Sequence, residues 1–285
     1  MKTLDNKINL NAFVNGLKST KGNFEQLYQE FYDYLKGFKT KEDDVILTIV
    51  LPMLNEEKTI KAILESLPYD NSIEIIVVND HSTDNSLKEI EKVKLNRKIR
   101  VINHKLNRGY GRAIISGISQ AKGEVIVTID SDGQHSPDDI FNLVKPIFEG
   151  DADYTIGSRY KGTYFYKLPV FTRVGEVIVE KLIQLLFGPK VVNNQTGFRA
   201  FNRKVVPILN NTKYPGYAYC TEQILRVSIL GFKIKECPIK VYSRQFGSSK
   251  IVLRILAGRI FSCIIYYYIQ KIKFMMKRTK RISSL

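Results

Sequence analysis

The sequence predicts an α/β protein built on a Rossmann-like, mostly parallel β-sheet with helices on both faces. Short apolar runs alternate with helical stretches, and these runs are residues 45–51, 73–79, 99–103 and 125–130. Residues of types common in functional sites lie at or just after the end of every run: Pro52 and Glu56, then Asp80, then Asn107, then Asp130 and Asp132. Buried parallel strands have such apolar sequences, and right-handed crossovers put their carboxyl ends on one edge of the sheet. Four strand ends would therefore deliver polar groups to a single crevice.

Residues 1–43 precede this pattern and predict an N-terminal helical extension made of two short amphipathic helices. In the second helix, apolar and aromatic residues recur at helical spacing, namely Phe24, Leu27, Tyr28, Phe31, Tyr34, Leu35 and Phe38. We expect this stripe to pack on the main domain, which we assign to residues 44–250. The alternative is a face for a partner protein or for a second copy of the chain.

Residues 251–285 predict a basic, amphipathic, membrane-associated tail. The formal net charge of the chain is +16, Glu236 is the last acidic residue, and residues 237–285 carry eleven Lys and Arg. Because Arg254 and Arg259 interrupt the apolar run 251–269, a helix lying on an anionic membrane surface fits better than a spanning one. The alternative is a core helix with a basic end. An evenly basic domain would have suggested nucleic acid, which we do not expect as a partner.

The cysteine content favours a reducing compartment. The three cysteines form no C-x-x-C pair and leave an odd count. The first ten residues contain no apolar run of the signal-peptide type. We therefore expect a cytoplasmic protein, bound peripherally to the inner face of the membrane.

The segment Asp130-Ser131-Asp132 predicts a metal site. It ends an apolar run and is followed closely by Gln134 and His135. Two carboxylates and an amide oxygen suit Mg²⁺ or Mn²⁺, which would bridge diphosphate oxygens. A surface turn would also explain a D-x-D pattern, and His135 is either a ligand or a hydrogen-bonding neighbour of the site.

Two further segments suggest binding of a nucleotide. Gly109 and Gly111 open a helix, where glycines let backbone N–H groups approach phosphate; close helix–strand packing is the alternative. Asp80 stands at a strand end and is suited to accept a hydrogen bond from a nucleobase. Residues 55–57 would cap the first helix after the first strand, and residues 82–84 would cap the next.

Seven ordered segments resemble glycosyltransferase family 2, which has the GT-A fold, and within it the dolichol-phosphate mannose synthase-like branch. The segments are L-P-M-L-N-E-E (51–57), I-V-V-N-D-H-S-T-D (76–84), N-R-G-Y-G-R-A (107–113), A-K-G-E-V-I-V-T-I-D-S-D-G-Q-H (121–135), G-S-R (157–159), T-G-F-R-A-F (196–201) and R-Q-F-G-S-S-K (244–250). The resemblance implies an inverting, metal-dependent transfer of a sugar from a nucleotide-sugar donor.

The resemblance also implies roles for matching residues. The donor would contact Pro52, Glu56, Asp80, Asn107, Gly109 and Asp130. The Mn²⁺ or Mg²⁺ cofactor would be held by Asp130, Asp132 and Gln134. Donor and acceptor phosphates would contact Arg159, Arg173, Arg199, Arg244, Ser249 and Lys250. The catalytic group would comprise Asp132, Glu222, Arg199 and Arg244.

Three positions depart from the family pattern and bear on the acceptor. Leu54 replaces the usual Tyr, Asn79 replaces the first Asp of D-D-G-S, and Asn193 replaces an Asp that would be a candidate base. A polyprenyl-phosphate acceptor arrives anionic at pH 7 and needs no base, and it is the acceptor we expect. A hydroxyl acceptor, such as a polysaccharide, would need one, and Glu222 would be the candidate. The remaining alternatives are a basic nucleic-acid-binding protein and an inactive family member that binds partners through residues 1–43.

Overall fold

A computed structural model describes residues 21–39, 44–94, 97–166, 169–247 and 252–282. For residues 21–27 and 278–282 it describes the backbone alone. Within these ranges, seven strands form one sheet. They are β1 (Leu47–Met53), β2 (Ile73–Asn79), β3 (Ile99–Asn103), β4 (Val125–Thr128), β5 (Tyr154–Tyr164), β6 (Arg199–Asn202) and β7 (Ile234–Val241). Their order across the sheet is β3-β2-β1-β4-β6-β5-β7.

Helices connect and cover these strands. They are α1 (Lys21–Lys36), α2 (Ile60–Ser66), α3 (Ser86–Lys94), α4 (Tyr110–Ile118), α5 (Ile140–Phe148), α6 (Val170–Phe187), α7 (Val206–Leu209), α8 (Tyr219–Ile229) and α9 (Leu253–Ile282), with short 3₁₀ turns at Pro137–Asp139 and Arg203–Val205.

The predicted α/β class with a mostly parallel sheet is confirmed. β1 pairs in parallel with β2 and β4, and β2 pairs in parallel with β3. β6 runs the other way, antiparallel to both β4 and β5. The four predicted apolar runs correspond to β1, β2, β3 and β4, which are neighbours in the sheet, so their carboxyl ends share one edge.

Side chains of the central strands alternate between two cores. Every residue of β1 is buried. Ile49 and Leu51 face the core formed with α1, α2, α3 and α5, whereas Val50 faces the core formed with α4, α6, α8 and α9. Because successive side chains of a strand point to opposite faces, a strand covered on both sides must be apolar throughout.

The aromatic stripe of α1 packs on the main domain. Phe31 and Leu35 are fully buried in the first core. The ring centroids of Phe31 and Phe141 of α5 lie 5.3 Å apart, and those of Phe38 and Phe148 lie 4.7 Å apart. These contacts favour the packing interpretation over a free partner face. The first of the two predicted N-terminal helices lies outside the described residues.

Helix α9 combines a buried face with an exposed one. Ile260, Cys263 and Ile264 are buried in the second core. Phe261, Ile265 and Ile269 are 40%, 61% and 46% exposed. The buried face fits the interpretation as a core helix, and binding of the exposed face to a membrane stays a prediction. Within the described ranges, no helix combines the length and apolarity that crossing a bilayer requires.

Candidate functional site

A cleft of about 1000 Å³ opens at the carboxyl ends of β1, β2 and β4. Nine of the residues singled out from the sequence line it, namely Pro52, Glu56, Asp80, Asn107, Gly109, Asp130, Asp132, Gln134 and Arg244. They come from four strand ends and from the segment after β7. The single crevice that the sequence predicts is therefore present, with these side chains on its wall.

Asp130 lies at the back of the cleft in a close-packed setting. The Tyr110 hydroxyl donates to its Oδ1 at 2.9 Å, and His135 Nδ1 lies 3.7 Å from its Oδ2. Burial raises the pKa of Asp130, and nearby Asp132 raises it further, against the influence of His135 and the Tyr110 hydrogen bond. A Cβ at Gly197 would lie 2.4 Å from Asp130 Oδ1, so only glycine fits there.

Asp132 faces Arg244 across the cleft. Arg244 Nη2 lies 3.3 Å from Asp132 Oδ2 and 2.7 Å from Glu56 Oε1. Asp132 Oδ1 accepts from the Gln134 backbone N–H at 3.0 Å, while the Gln134 amide donates to the Tyr242 carbonyl at 3.2 Å. The guanidinium thus joins the ends of β1 and β4 to the segment after β7.

The donor set fits a divalent cation in part. Across the described residues, no three His, Cys, Asp or Glu side chains are grouped as a complete metal site. Asp130 and Asp132 do supply two carboxylates on one edge, and the buried His135 Nδ1 beside Asp130 has no hydrogen-bond partner within the described part of the chain. Hard oxygen ligands of this kind suit Mg²⁺ or Mn²⁺, with the remaining positions open to phosphate oxygens.

Asp80 shapes the glycine segment before α4. Its Oδ1 accepts from the Arg108 N–H at 2.8 Å, its Oδ2 accepts from the Gly109 N–H at 2.8 Å, and His104 Nδ1 lies 2.7 Å from Oδ1. Gly109 has φ +88°, which favours glycine. Asp80 therefore fixes the loop on the cleft wall, in addition to any contact with a donor.

Gly111 is required by a close approach to the Pro215 carbonyl, whereas the sequence suggested an approach to phosphate, with helix–strand packing as the alternative. Its N–H donates to the Pro215 carbonyl at 2.7 Å, and a Cβ there would also lie 2.7 Å from that oxygen. The neighbouring Tyr217 stacks on Tyr110 with centroids 5.5 Å apart. Residues 215–217 are therefore held over the start of α4.

The side chains of residues 55–57 do not cap α2, which corrects the sequence expectation, although the Glu56 carbonyl accepts from the Ile60 N–H at 2.9 Å. Asn55 Oδ1 accepts from the Thr83 N–H at 2.7 Å, and the Glu57 N–H donates to Asp84 at 3.1 Å. The Glu56 N–H donates to the Ser86 hydroxyl at 2.8 Å. These bonds tie the loop after β1 to the loop after β2, because neither loop has regular backbone partners there.

The expected catalytic contacts of Arg199 are contradicted. Arg199 is 1% exposed, and its guanidinium donates to the carbonyl oxygens of Thr196, Asn194 and Cys220 and to the Tyr154 hydroxyl. A buried charge needs such a full set of partners. With them engaged, Arg199 holds segment 194–196 against α8 instead of reaching the cleft.

Glu222 is likewise a structural residue and not a base facing the cleft. It is fully buried, and its carboxylate accepts from the Thr212 hydroxyl, from the N–H groups of Lys213 and Tyr214, and from the Tyr267 hydroxyl of α9. It therefore joins α9 to residues 212–214. Asn193 is also buried, and its amide donates to the Gly157 carbonyl at 3.1 Å.

Two of the other predicted phosphate ligands, Arg159 and Arg173, are not among the residues that line the cleft. Arg159 and Arg173 pair with Glu176 beside a second cavity lined by β5 and α6. Ser249 and Lys250 lie outside the described residues. Sequence reasoning missed the four residues of the 252–259 segment that line the cleft, which are Val252, Ile255, Leu256 and Arg259. The sequence analysis assigned this segment to a membrane surface, and only tertiary packing shows that these residues line the cleft.

The comparisons with known proteins identify the family of this chain. The family model "Glycosyl transferase family 2" matches residues 48–207. The chain therefore belongs to glycosyl transferase family 2, as its motifs predict.

Two characterised relatives cover most of the chain. It is 30% identical over 236 residues to the UDP-N-acetylglucosamine–dolichyl-phosphate N-acetylglucosaminyltransferase of Methanococcus voltae, covering 76% of this chain and 94% of the relative. It is 29% identical over 234 residues to the undecaprenyl-phosphate 4-deoxy-4-formamido-L-arabinose transferase of Serratia proteamaculans, covering 76% of this chain and 66% of the relative. These names agree with the predicted dolichol-phosphate mannose synthase-like branch.

Solved structures confirm the predicted GT-A fold. Glucosyl-3-phosphoglycerate synthase of Mycobacterium tuberculosis, in complex with Mn²⁺, UDP and glucosyl-3-phosphoglycerate, has a TM-score of 0.63 at 22% identity, covering 78% of this chain and 79% of that one. The same enzyme with Mg²⁺ and UDP has a TM-score of 0.62 at 20% identity, covering 78% and 79% of the two chains. At this identity the likeness concerns the fold alone.

Proposed function

We propose that this chain is an inverting glycosyltransferase that moves a sugar from a nucleotide-sugar donor to a polyprenyl-phosphate type of lipid at a membrane surface. The observation that carries the proposal is the cleft in which nine motif residues meet, with Asp130 and Asp132 at its back. The names of the Methanococcus and Serratia relatives support the lipid-phosphate acceptor.

The donor would bind with its nucleoside toward β1 and β2. Pro52, Glu56 and Asp80 line that end of the cleft, and the cross-linked loops after β1 and β2 keep it in shape. Asn107 and Gly109 line the cleft at the start of α4, and Asp80 already binds the N–H groups of Arg108 and Gly109. The diphosphate would then lie near Asp130 and Asp132.

Asp130 and Asp132, with Gln134 nearby, would hold the Mn²⁺ or Mg²⁺. The cation would neutralise charge that develops on the departing nucleoside diphosphate. A cation beside Asp130 would also lower the carboxyl pKa that burial raises. Arg244 would exchange its contacts with Asp132 and Glu56 for the donor diphosphate, because a guanidinium binds phosphate through two parallel hydrogen bonds.

A phosphate acceptor suits the arrangement of the carboxylates. Glu222 and Asn193, the two positions considered for a base, are buried and engaged with other groups. A phosphomonoester needs no deprotonation at pH 7, so alignment and stabilisation of the leaving group carry the reaction. The exposed apolar face of α9 would keep the enzyme on the inner face of the membrane, in a reducing compartment that suits its free cysteines.

The test is transfer from a panel of nucleotide sugars by the purified chain with Mn²⁺. A prenyl phosphate and the matching prenyl alcohol would be compared as acceptors. We expect transfer to the phosphate alone, with the anomeric configuration of the product inverted, as read by NMR. Transfer to the alcohol with none to the phosphate would contradict the proposal and favour a hydroxyl acceptor.

Arg244→Lys provides a sharper test of the cleft itself. Lysine keeps the charge but loses the two-pronged hydrogen bonding, so we expect the turnover rate to fall about 10- to 100-fold, equivalent to about 1.4 to 3 kcal/mol. Steady-state kinetics would measure this, with Lys235→Arg on the remote surface as the control. Wild-type turnover in Arg244→Lys would mean that only the positive charge matters.

A further inference from the structure

Tyr217 presents an aromatic surface to the cleft. It is one of the residues that line the cleft, and it is 37% exposed. Tyr219, two residues further along the chain, is 1% exposed and packs in the second core. A tyrosine that served packing alone would be buried as Tyr219 is, whereas part of Tyr217 remains open to the space of the cleft.

The Tyr217 ring is supported from one side. It stacks on the Tyr110 ring, with centroids 5.5 Å apart and 23° between the two planes. The Tyr110 hydroxyl donates to Asp130 Oδ1 at 2.9 Å, which fixes the supporting ring in turn. Because the stacked pair covers one face of Tyr217, the opposite face is the one available to a ligand.

The backbone that carries Tyr217 is also fixed. The Pro215 carbonyl accepts from the Gly111 N–H at 2.7 Å, and the Tyr217 carbonyl accepts from the Cys220 N–H at 3.2 Å. Just upstream, the buried Glu222 carboxylate accepts from two backbone N–H groups, at 2.9 and 3.0 Å. The aromatic surface is therefore formed before a ligand arrives, and binding does not incur the cost of ordering it.

Tyr217 lies beside the groups proposed for the cation and the diphosphate. Burial raises the pKa of the Tyr217 hydroxyl, the Asp130 carboxylate raises it further, and Arg244 opposes both. Such charges act mainly over short distances, so the hydroxyl is close to these two groups. In a nucleotide sugar, the sugar is bonded to the terminal phosphate, away from the nucleoside. With the nucleoside toward β1 and β2, the sugar would lie toward Asp130 and Tyr217.

The ring of a pyranose suits such a surface. A pyranose face on which the hydroxyl groups point outward presents C–H groups, and their slight positive charge is attracted to the negative face of an aromatic ring. A hydroxyl that points axially from that face would hold the sugar away from the ring. Contact with an aromatic face therefore distinguishes sugars that differ in configuration at one carbon.

We propose that Tyr217 is a platform for the sugar of the donor, with the open face of its ring against the C–H face of the pyranose, and that it contributes to the choice between epimeric sugars. This inference rests on the proposed nucleotide-sugar donor. It adds a residue that contacts the transferred group itself, which the sequence motifs do not include.

The test compares nucleotide sugars with their own nucleoside diphosphates. UDP-N-acetylglucosamine with UDP, and GDP-mannose with GDP, are titrated by calorimetry into the wild type and Tyr217→Ala in the presence of Mn²⁺. For the nucleotide sugar that the wild type binds, we expect Tyr217→Ala to bind about tenfold more weakly, while its affinity for the nucleoside diphosphate changes by less than about twofold. An equal loss for both ligands, as a contact with the nucleobase would give, or no loss for the nucleotide sugar, would overturn the proposal.

Tyr217→Phe and Tyr164→Ala are the matched controls. Phenylalanine keeps the flat face, so Tyr217→Phe should bind the nucleotide sugar within about twofold of the wild type. Tyr164 is 40% exposed and lines the second cavity beside β5 instead of the cleft, so Tyr164→Ala should bind both ligands as the wild type does. A loss in either control as large as that in Tyr217→Ala would overturn the contact with the ring face.

Transfer rates test the choice of sugar and separate this inference from the proposed function. We expect the ratio of kcat/KM for the accepted nucleotide sugar and its 4-epimer to move at least about fivefold toward one in Tyr217→Ala, and to stay that of the wild type in Tyr217→Phe. Loss of stability alone would not change this ratio. If the wild type transfers sugar but the ratio is the same in Tyr217→Ala, the role in specificity is overturned and the proposed function stands. If the wild type neither binds nor uses any nucleotide sugar, both are overturned.

Discussion

Replacing Asp132 by alanine is expected to reduce sugar transfer by at least about a thousandfold, equivalent to about 4 kcal/mol of transition-state stabilisation. Asp132 lines the cleft beside Asp130, and its carboxylate faces Arg244 at 3.3 Å. Without it, a cation bound at the proposed site would lose one of two carboxylates, and Arg244 would lose a partner. The rate and the affinity for Mn²⁺, followed by electron paramagnetic resonance, should fall together.

The control for this variant is Asp151→Ala. Asp151 is an exposed carboxylate paired with Lys235 at 3.3 Å, away from the cleft. It should retain wild-type rate and Mn²⁺ affinity, and both variants should unfold at wild-type temperature. Full turnover by the wild type in excess EDTA would contradict the metal requirement itself, independently of which residue binds the ion.

Strands β1, β2 and β4, on one side of the sheet, were predictable because they are buried almost throughout. β1, β2 and β4 have continuous apolar sequences that few other structures would allow. The other half was not assigned. β5 is buried in its first half and exposed in its second, and β6 has only four residues, with Arg199 at its start. Such strands form because neighbouring strands pair with them. Periodicity along the chain does not reveal that pairing.

The residues of the site were likewise predictable in part. Residues that directly follow a strand lie in the cleft, because the geometry of a parallel sheet places them there. Arg199 and Glu222 belong to equally recognisable motifs, yet they are buried and hold segments of the chain together. A motif identifies residues that the protein needs. It does not distinguish residues that contact substrate from residues that hold other parts of the chain in position. Burial makes that distinction, and it depends on tertiary structure.

The burial of one face of α9 was also not visible in the sequence. The sequence analysis assigned residues 251–285 to a membrane-associated tail, separate from the main domain. In the structure Ile260 and Cys263 are part of the second core, Leu256 lines the cleft, and Tyr267 donates to Glu222 at 2.5 Å. Deleting the helix would expose the core and loosen residues 212–214. Membrane binding must therefore be tested on the exposed face alone.

The triple variant Phe261→Ser, Ile265→Ser, Ile269→Ser is expected to lose binding to anionic vesicles by more than about 100-fold. These residues are spaced at i, i+4 and i+8 and are 40% to 61% exposed, so they form one outward stripe of α9. Burying an apolar side chain in lipid contributes roughly 1.5–3 kcal/mol, and three partly inserted side chains account for the loss. Vesicle co-sedimentation measures it. The buried face is untouched, so the thermal unfolding temperature and donor turnover should remain those of the wild type.

The lysines of α9 should contribute to vesicle binding separately from its apolar stripe. Lys273 and Lys277 lie beyond the apolar stripe, and replacing both with Gln should weaken vesicle binding by about 1 kcal/mol each, mainly at low salt, where screening is least. Lys271 is a poorer choice because its ammonium donates to the Leu186 carbonyl of α6 at 2.7 Å.

Leu230→Ser is the control for the triple variant. Leu230 lies at the end of α8 and is 47% exposed, so this variant removes an exposed apolar side chain away from α9. Undiminished sedimentation of the triple variant would contradict the role of α9. Loss of transfer to a vesicle-borne acceptor, with transfer to a short soluble prenyl phosphate retained, would show that α9 acts by holding the cleft at the membrane.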